Sequence, residues 1–192
     1  MELLGRGLRA LLKWLLPLAV SYGALFWYQS YDSAKRDYND EIISPGKMSF
    51  SQLRVGDCYD TYDPSKRSIA DTLTGFMFPP ENLVYAVSCD DYHMYQVYHV
   101  FETKYQNFNE DKITAEGHKI CQKHFPIERV NFLVSRNISG KNGSLDVASF
   151  TYLFYSPIYD EDPDTVGSWE LGDRDITCAI FVEDEKFNFS FL

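Results

Sequence analysis

His93 follows Asp90, Asp91 and Tyr92, and an imidazole beside a carboxylate is the pairing by which hydrolytic triads orient a general base. No serine stands in a Gly-x-Ser-x-Gly nucleophile elbow, so an envelope-hydrolase reading would rest on His93 alone. The local sequence reads instead as a turn in which the imidazole bonds the backbone after Cys89. A second constellation, His118-x-x-Cys121-x-x-His124, has metal-ligating residue types and would suit a metal-binding sensor ectodomain. On a helix His118 and Cys121 share a face, but His124 is rotated away and no Cys-x-x-Cys pair completes a site. A third, Asp160-Glu161-Asp162-Pro163-Asp164, alternates carboxylates as calcium loops do. It lacks glycine at the sixth position and has Leu171 at the twelfth, where a bidentate Glu belongs, so it reads as a solvated acidic loop. These residues predict no catalytic group, cofactor or metal.

The four cysteines, Cys58, Cys89, Cys121 and Cys178, carry a different chemistry. An even count, all in the later part of the chain, predicts two disulfides in an oxidising compartment. Three connectivities satisfy the count. Cys58–Cys89 with Cys121–Cys178 is favoured, because the first two sit in neighbouring strand-like segments and the third lies on a predicted helix that would dock on the strand carrying the fourth.

What would place those cysteines outside a cell is the segment Ala10–Tyr28, which has no charge from Trp14 onward. About 20 helical residues cross a bilayer's hydrocarbon, and Trp14, Trp27 and Tyr28 fall where interfacial aromatics are favoured. Arg6, Arg9 and Lys13 precede the span while the charges just after it nearly cancel, so the positive-inside rule puts the N-terminus in the cytoplasm. A cleaved signal peptide fits less well: a cut after Ala19-Val20-Ser21 would leave a very short apolar region. The expected organisation is a cytoplasmic tip and signal anchor over residues 1–29, a polar stalk over 30–48, and an extracytoplasmic domain over 49–192. Residues 1–32 hold three basic and two acidic side chains, leaving 15 basic against 26 acidic beyond them, a formal balance of −11. That sign excludes nucleic acid as a partner and predicts repulsion from anionic lipid.

The beyond-anchor sequence alternates strand and turn signals. Ser49-Phe50-Ser51-Gln52 fits a capping box for one helical turn. Strands are expected at Asp57–Tyr62, Val84–Ser88, Met94–Thr103, Val147–Phe154 and Asp175–Glu183, with a terminal strand through Phe187, Phe189 and Phe191 turned back at Asp184-Glu185. In Met94–Thr103 strict alternation puts Tyr95, Val97, His99 and Phe101 on one face, His99 as a satisfied core histidine. One amphipathic helix is expected from Asn109, its N-cap, to His124, weakened by Gly117. The fold class is therefore α+β: an N-terminal transmembrane helix, then a small antiparallel sheet with one packed helix, stapled by two disulfides. Trp169 and Gly172-Asp173-Arg174 read as a structural turn whose tryptophan covers the core, with Arg174 paired to Asp57 or Asp173.

Four segments, Leu53–Cys58 (LRVGDC), Val87–Val97 (VSCDDYHMYQV), Cys121–Phe125 (CQKHF) and Trp169–Cys178 (WELGDRDITC), together and in this order resemble the septum-formation domain of actinobacterial membrane and secreted proteins. The resemblance covers roughly Phe50 to Phe181. Where the family pattern has Pro-His and then Glu-Val, this chain has Tyr92-His93 and Gln96-Val97. The resemblance implies a place in the cell envelope and an association with cell division or wall growth, and it brings no reaction with it. The candidate functional residues are His93, Gln96, Trp169 and Arg174. The expected function is a non-catalytic membrane module, held through residues 10–28, whose partner is an envelope protein or a wall polymer.

Overall fold

A computed structural model describes residues 33–61, 83–157, 167–183 and 185–192. The segment expected to span a membrane and the acidic run 160–164 lie outside these residues. Among the described residues no helix is long and apolar enough to cross a membrane.

The described residues open with β1 (Lys35–Arg36) and β2 (Ile42–Ser44), a short antiparallel pair. β3 (Gly46–Ser49), β4 (Cys58–Thr61), β5 (Leu83–Val87) and β6 (Tyr95–Glu102) follow, then helices α1 (Glu110–His124) and α2 (Ile127–Ser135), then β7 (Phe150–Tyr155) and β8 (Asp175–Val182). β3 to β8 form one six-stranded sheet in the order β3-β5-β4-β6-β8-β7, with every pairing antiparallel. The α+β class, the antiparallel sheet and both disulfides stand as expected. The stalk does not: residues 33–48 supply β1, β2 and the sheet-edge strand β3, and Ile42 and Met48 are buried. Polar composition misled there, because an edge strand and a two-stranded hairpin bury only alternate residues.

Cys121 on α1 bonds Cys178 on β8, and Cys58 on β4 bonds Cys89 just after β5, with Cα separations of 5.5 and 5.2 Å. Each bridge joins segments that are already neighbours, so the pairing follows from the topology. α1 starts where expected: the Asn109 side chain accepts from the Lys112 N–H at 3.0 Å, and Glu110 and Asp111 suit the positive end of the helix dipole. Ile113, Gly117 and Cys121 are its buried stripe, one turn apart. A Cβ on Gly117 would lie 2.7 Å from the Phe154 ring, so glycine is what lets α1 settle onto β7. α2 was not expected. Its apolar residues Val130, Leu133 and Val134 turn onto the same core at helical spacing, and Pro126 precedes it with no need of an N–H.

The alternation expected in β6 is broken by a bulge between Val97 and His99. Tyr95, Val97 and Val100 pack with Tyr59, Val84, Leu53 and Ile42 on one face of the sheet, whereas Tyr98 and Phe101 pack on the helix side with Cys121, Cys178 and Ile180. An inserted residue reverses facing for everything beyond it, which period-two reading cannot detect. His99 therefore faces the helices, half-buried, and stacks on His124 with ring centroids 4.1 Å apart. The terminal segment is no strand: Phe187 exchanges both backbone hydrogen bonds with His93, at 2.9 and 3.0 Å, as an isolated bridge. Its aromatic residues still turn inward, Phe187 and Phe191 fully into the core.

Candidate functional site

The Gly56-Asp57-Cys58 tripeptide makes a turn in which each residue has a separate task. Gly56 has φ of +101°, a backbone region that side chains resist, and its N–H donates to Val97 O at 2.8 Å. The Asp57 carboxylate accepts from the Arg54 N–H at 2.6 Å and from both terminal nitrogens of Arg36 at 2.6 and 2.5 Å. Arg36 also donates to Asp40 O and Gln52 O, so this one guanidinium ties the β1–β2 pair to the turn. Its hydrogen bonds to the Asp57 carboxylate raise the pKa of the Arg36 guanidinium despite partial burial. Cys58 then carries the first disulfide into the sheet.

Gln96, opposite Cys58 in the β4–β6 register, is completely buried beside that disulfide. Its Nε2 donates to Ser190 Oγ at 2.8 Å and to Gly56 O at 3.2 Å, and its Oε1 accepts from the Phe191 N–H at 2.7 Å. A neutral amide has both donors and an acceptor to close these contacts, which a carboxylate would not. Gln96 thereby latches the last residues of the chain over the first disulfide.

His93 is also fully buried. Its Nδ1 lies 2.8 Å from Asp91 O, and a carbonyl partner requires Nδ1 to carry the proton. Among the described residues Nε2 meets no hydrogen-bond partner, and the ring packs edge-on against Phe187 at 4.4 Å. Burial lowers its pKa, with the hydrogen bond to the Asp91 backbone acting the other way. The ring bonds the backbone after Cys89, and no side-chain hydroxyl or carboxylate among the described residues hydrogen-bonds it. Asp60 answers Lys186 and the Met94 N–H.

A cleft of about 740 Å³ opens beside this latch, with the Cys58–Cys89 bridge, Gly56 and Leu192 in its lining and Asp40, Glu41 and Asp90 among its acidic groups. Asp40 is answered by Arg54. His93 lies outside this lining.

Trp169 and Arg174 form a separate structural unit. Trp169 is buried with Ile113 and Ile176, and Phe108 meets its ring edge-on. The Arg174 guanidinium lies 3.5 Å over the Trp169 ring and donates to Trp169 O and Asp173 O, both at 2.7 Å. Asp57, the alternative partner, is taken by Arg36. Of the proposed metal trio, Cys121 is in a disulfide, His118 meets Phe154 edge-on and His124 stacks on His99, so the three do not converge. Among the described residues no group of three or more His, Cys, Asp or Glu side chains is placed to hold a metal ion.

The sequence singles out Gln96 and the first disulfide separately; the structure brings them together and adds Arg36, Ser190 and Phe191, which sequence reasoning missed. A lone arginine in a polar stretch gives no sign that its partner lies 21 residues on. No family model matches the chain, nor does any curated protein or solved structure.

Proposed function

We propose that the chain is a membrane-anchored, extracytoplasmic interaction module of the cell envelope, non-catalytic and associated with septum formation or wall growth. The observation that carries this reading is the pair of disulfides, one holding α1 to β8 and the other closing the Gly56 turn under the Gln96 latch. Bridges of this kind persist in oxidising compartments and suit a domain outside the cytoplasm. The apolar segment Ala10–Tyr28 supplies the anchor, and the four resembling segments supply the link to septum formation. The most chemically suggestive side chain, His93, is spent on the backbone and sealed behind Phe187, which favours a structural role for it.

The test is a non-reducing mass map of protein isolated from membranes, with crosslinking in whole cells. Intact Cys58–Cys89 and Cys121–Cys178 peptides, residues 10–28 still attached, and a recovered envelope partner are the expected results. Four free thiols in a cytosolic pool would sink the proposal.

A further inference from the structure

Net charge conceals how the charge is distributed. Residues 117–142 contain Lys119, Lys123, Arg129, Arg136 and Lys141 against Glu128 alone, a formal +4, whereas the rest of the chain has 13 basic and 27 acidic residues, a formal −14. All five basic side chains are exposed, and none makes an ion pair among the described residues. On α2 they frame an unusual feature: Phe132 is 46% exposed, with the guanidinium carbons of Arg129 and Arg136 at 5.3 and 4.9 Å from its ring centroid. The spacing of 129, 132 and 136 puts all three on one helical face.

We propose that this face of α2 docks on the anionic headgroups of the membrane that anchors the chain, an inference that rests on the anchored reading above. Two observations select lipid over a soluble polyanion. Ser33, the first described residue, is five positions beyond Tyr28, and five residues reach at most about 18 Å in any conformation. The domain is therefore held close to the headgroups. There the field of an anionic surface acts across a body with segregated charge and turns its basic side inward. An exposed Phe between two arginines on one face is also how an interfacial helix is built, the apolar side chain entering the headgroup boundary while the cations meet phosphates. The repulsion expected from net charge holds for a uniformly acidic surface, and this surface is not uniform.

The test is hydrogen exchange on the full chain reconstituted into nanodiscs of phosphatidylcholine alone, or of phosphatidylcholine and phosphatidylglycerol in equal parts. Amides of residues 127–136 are expected to exchange about fivefold or more slowly in the anionic discs. High salt and the R129Q/R136Q variant should each abolish the difference, with exchange in β6 and β8 unchanged to show that the variant is folded. Equal exchange of the α2 amides in both discs overturns the proposal. So does the same protection produced in zwitterionic discs by added soluble polyphosphate, since the occupant is then a free polyanion. If the chain enters neither disc, the anchored reading fails and the docking proposal falls with it.

Discussion

Replacing Gln96 by leucine keeps nearly the same volume in the core and removes every hydrogen bond of the latch. The Phe191 N–H, on a residue only 2% exposed, loses its acceptor and gains no water, which costs about 1–3 kcal/mol. The contacts to Ser190 Oγ and Gly56 O are closer to solvent, and their loss adds roughly 0.5–1.5 kcal/mol each. The sum, about 2–6 kcal/mol, is a large fraction of a domain's usual stability but leaves two disulfides to hold the fold. Urea unfolding of the oxidised protein measures the first part of this expectation. Hydrogen exchange at Phe191 measures the second, because its protection should fall to that of a frayed terminus while β8 stays protected. A Gln96→Leu variant within 0.5 kcal/mol of the parent, in the measurement error of such bonds, with Phe191 still protected, would show that the latch is incidental to the fold. Gln96→Glu sharpens the same argument. Burial raises the pKa of the new carboxyl in the folded state, so this variant should be most stable at acid pH and lose stability as pH rises through the ordinary glutamate range.

Gly117→Ala sets a helix-propensity gain of about 1 kcal/mol against an overpacking cost of roughly 1–3 kcal/mol where the new methyl meets Phe154. The net effect on unfolding free energy should be destabilising in the parent and reversed in a Phe154→Leu background. Arg36→Ala leaves the Asp57 carboxylate, 6% exposed, without its bidentate partner, and should cost about 3 kcal/mol. Limited proteolysis should then cut first between residues 33 and 44. Burial holds the His93 pKa below its ordinary value, so the unfolded chain takes up the proton first on acidification. Its contribution is therefore complete above about pH 6.5 and is lost as pH falls toward the folded pKa. His99, lowered by burial and by His124, adds in the same direction, and thermal unfolding between neutral and mildly acid pH should show the slope shrink in His93→Phe.

The sequence by itself determined the features set by near neighbours. Asn109 begins α1, the period of two locates β4, β5 and β8, and the pattern of strands with few crossovers determines an antiparallel α+β domain. Even the favoured cysteine pairing could be read, because each bridge joins elements whose adjacency the strand order already implied. Tertiary structure alone decided the rest. The bulge in β6 that brings His99 to the helix side cannot be seen in an alternating string, since one extra residue leaves the composition unchanged. The edge strand β3 and its hairpin looked like a stalk because a polar sequence buries little until Arg36 finds Asp57. Gln96 acquires its role only from a backbone group 95 positions later in the chain. Local preference acts over a few residues, whereas a buried polar group is defined by whichever distant segment packing brings to it, and that information is not local.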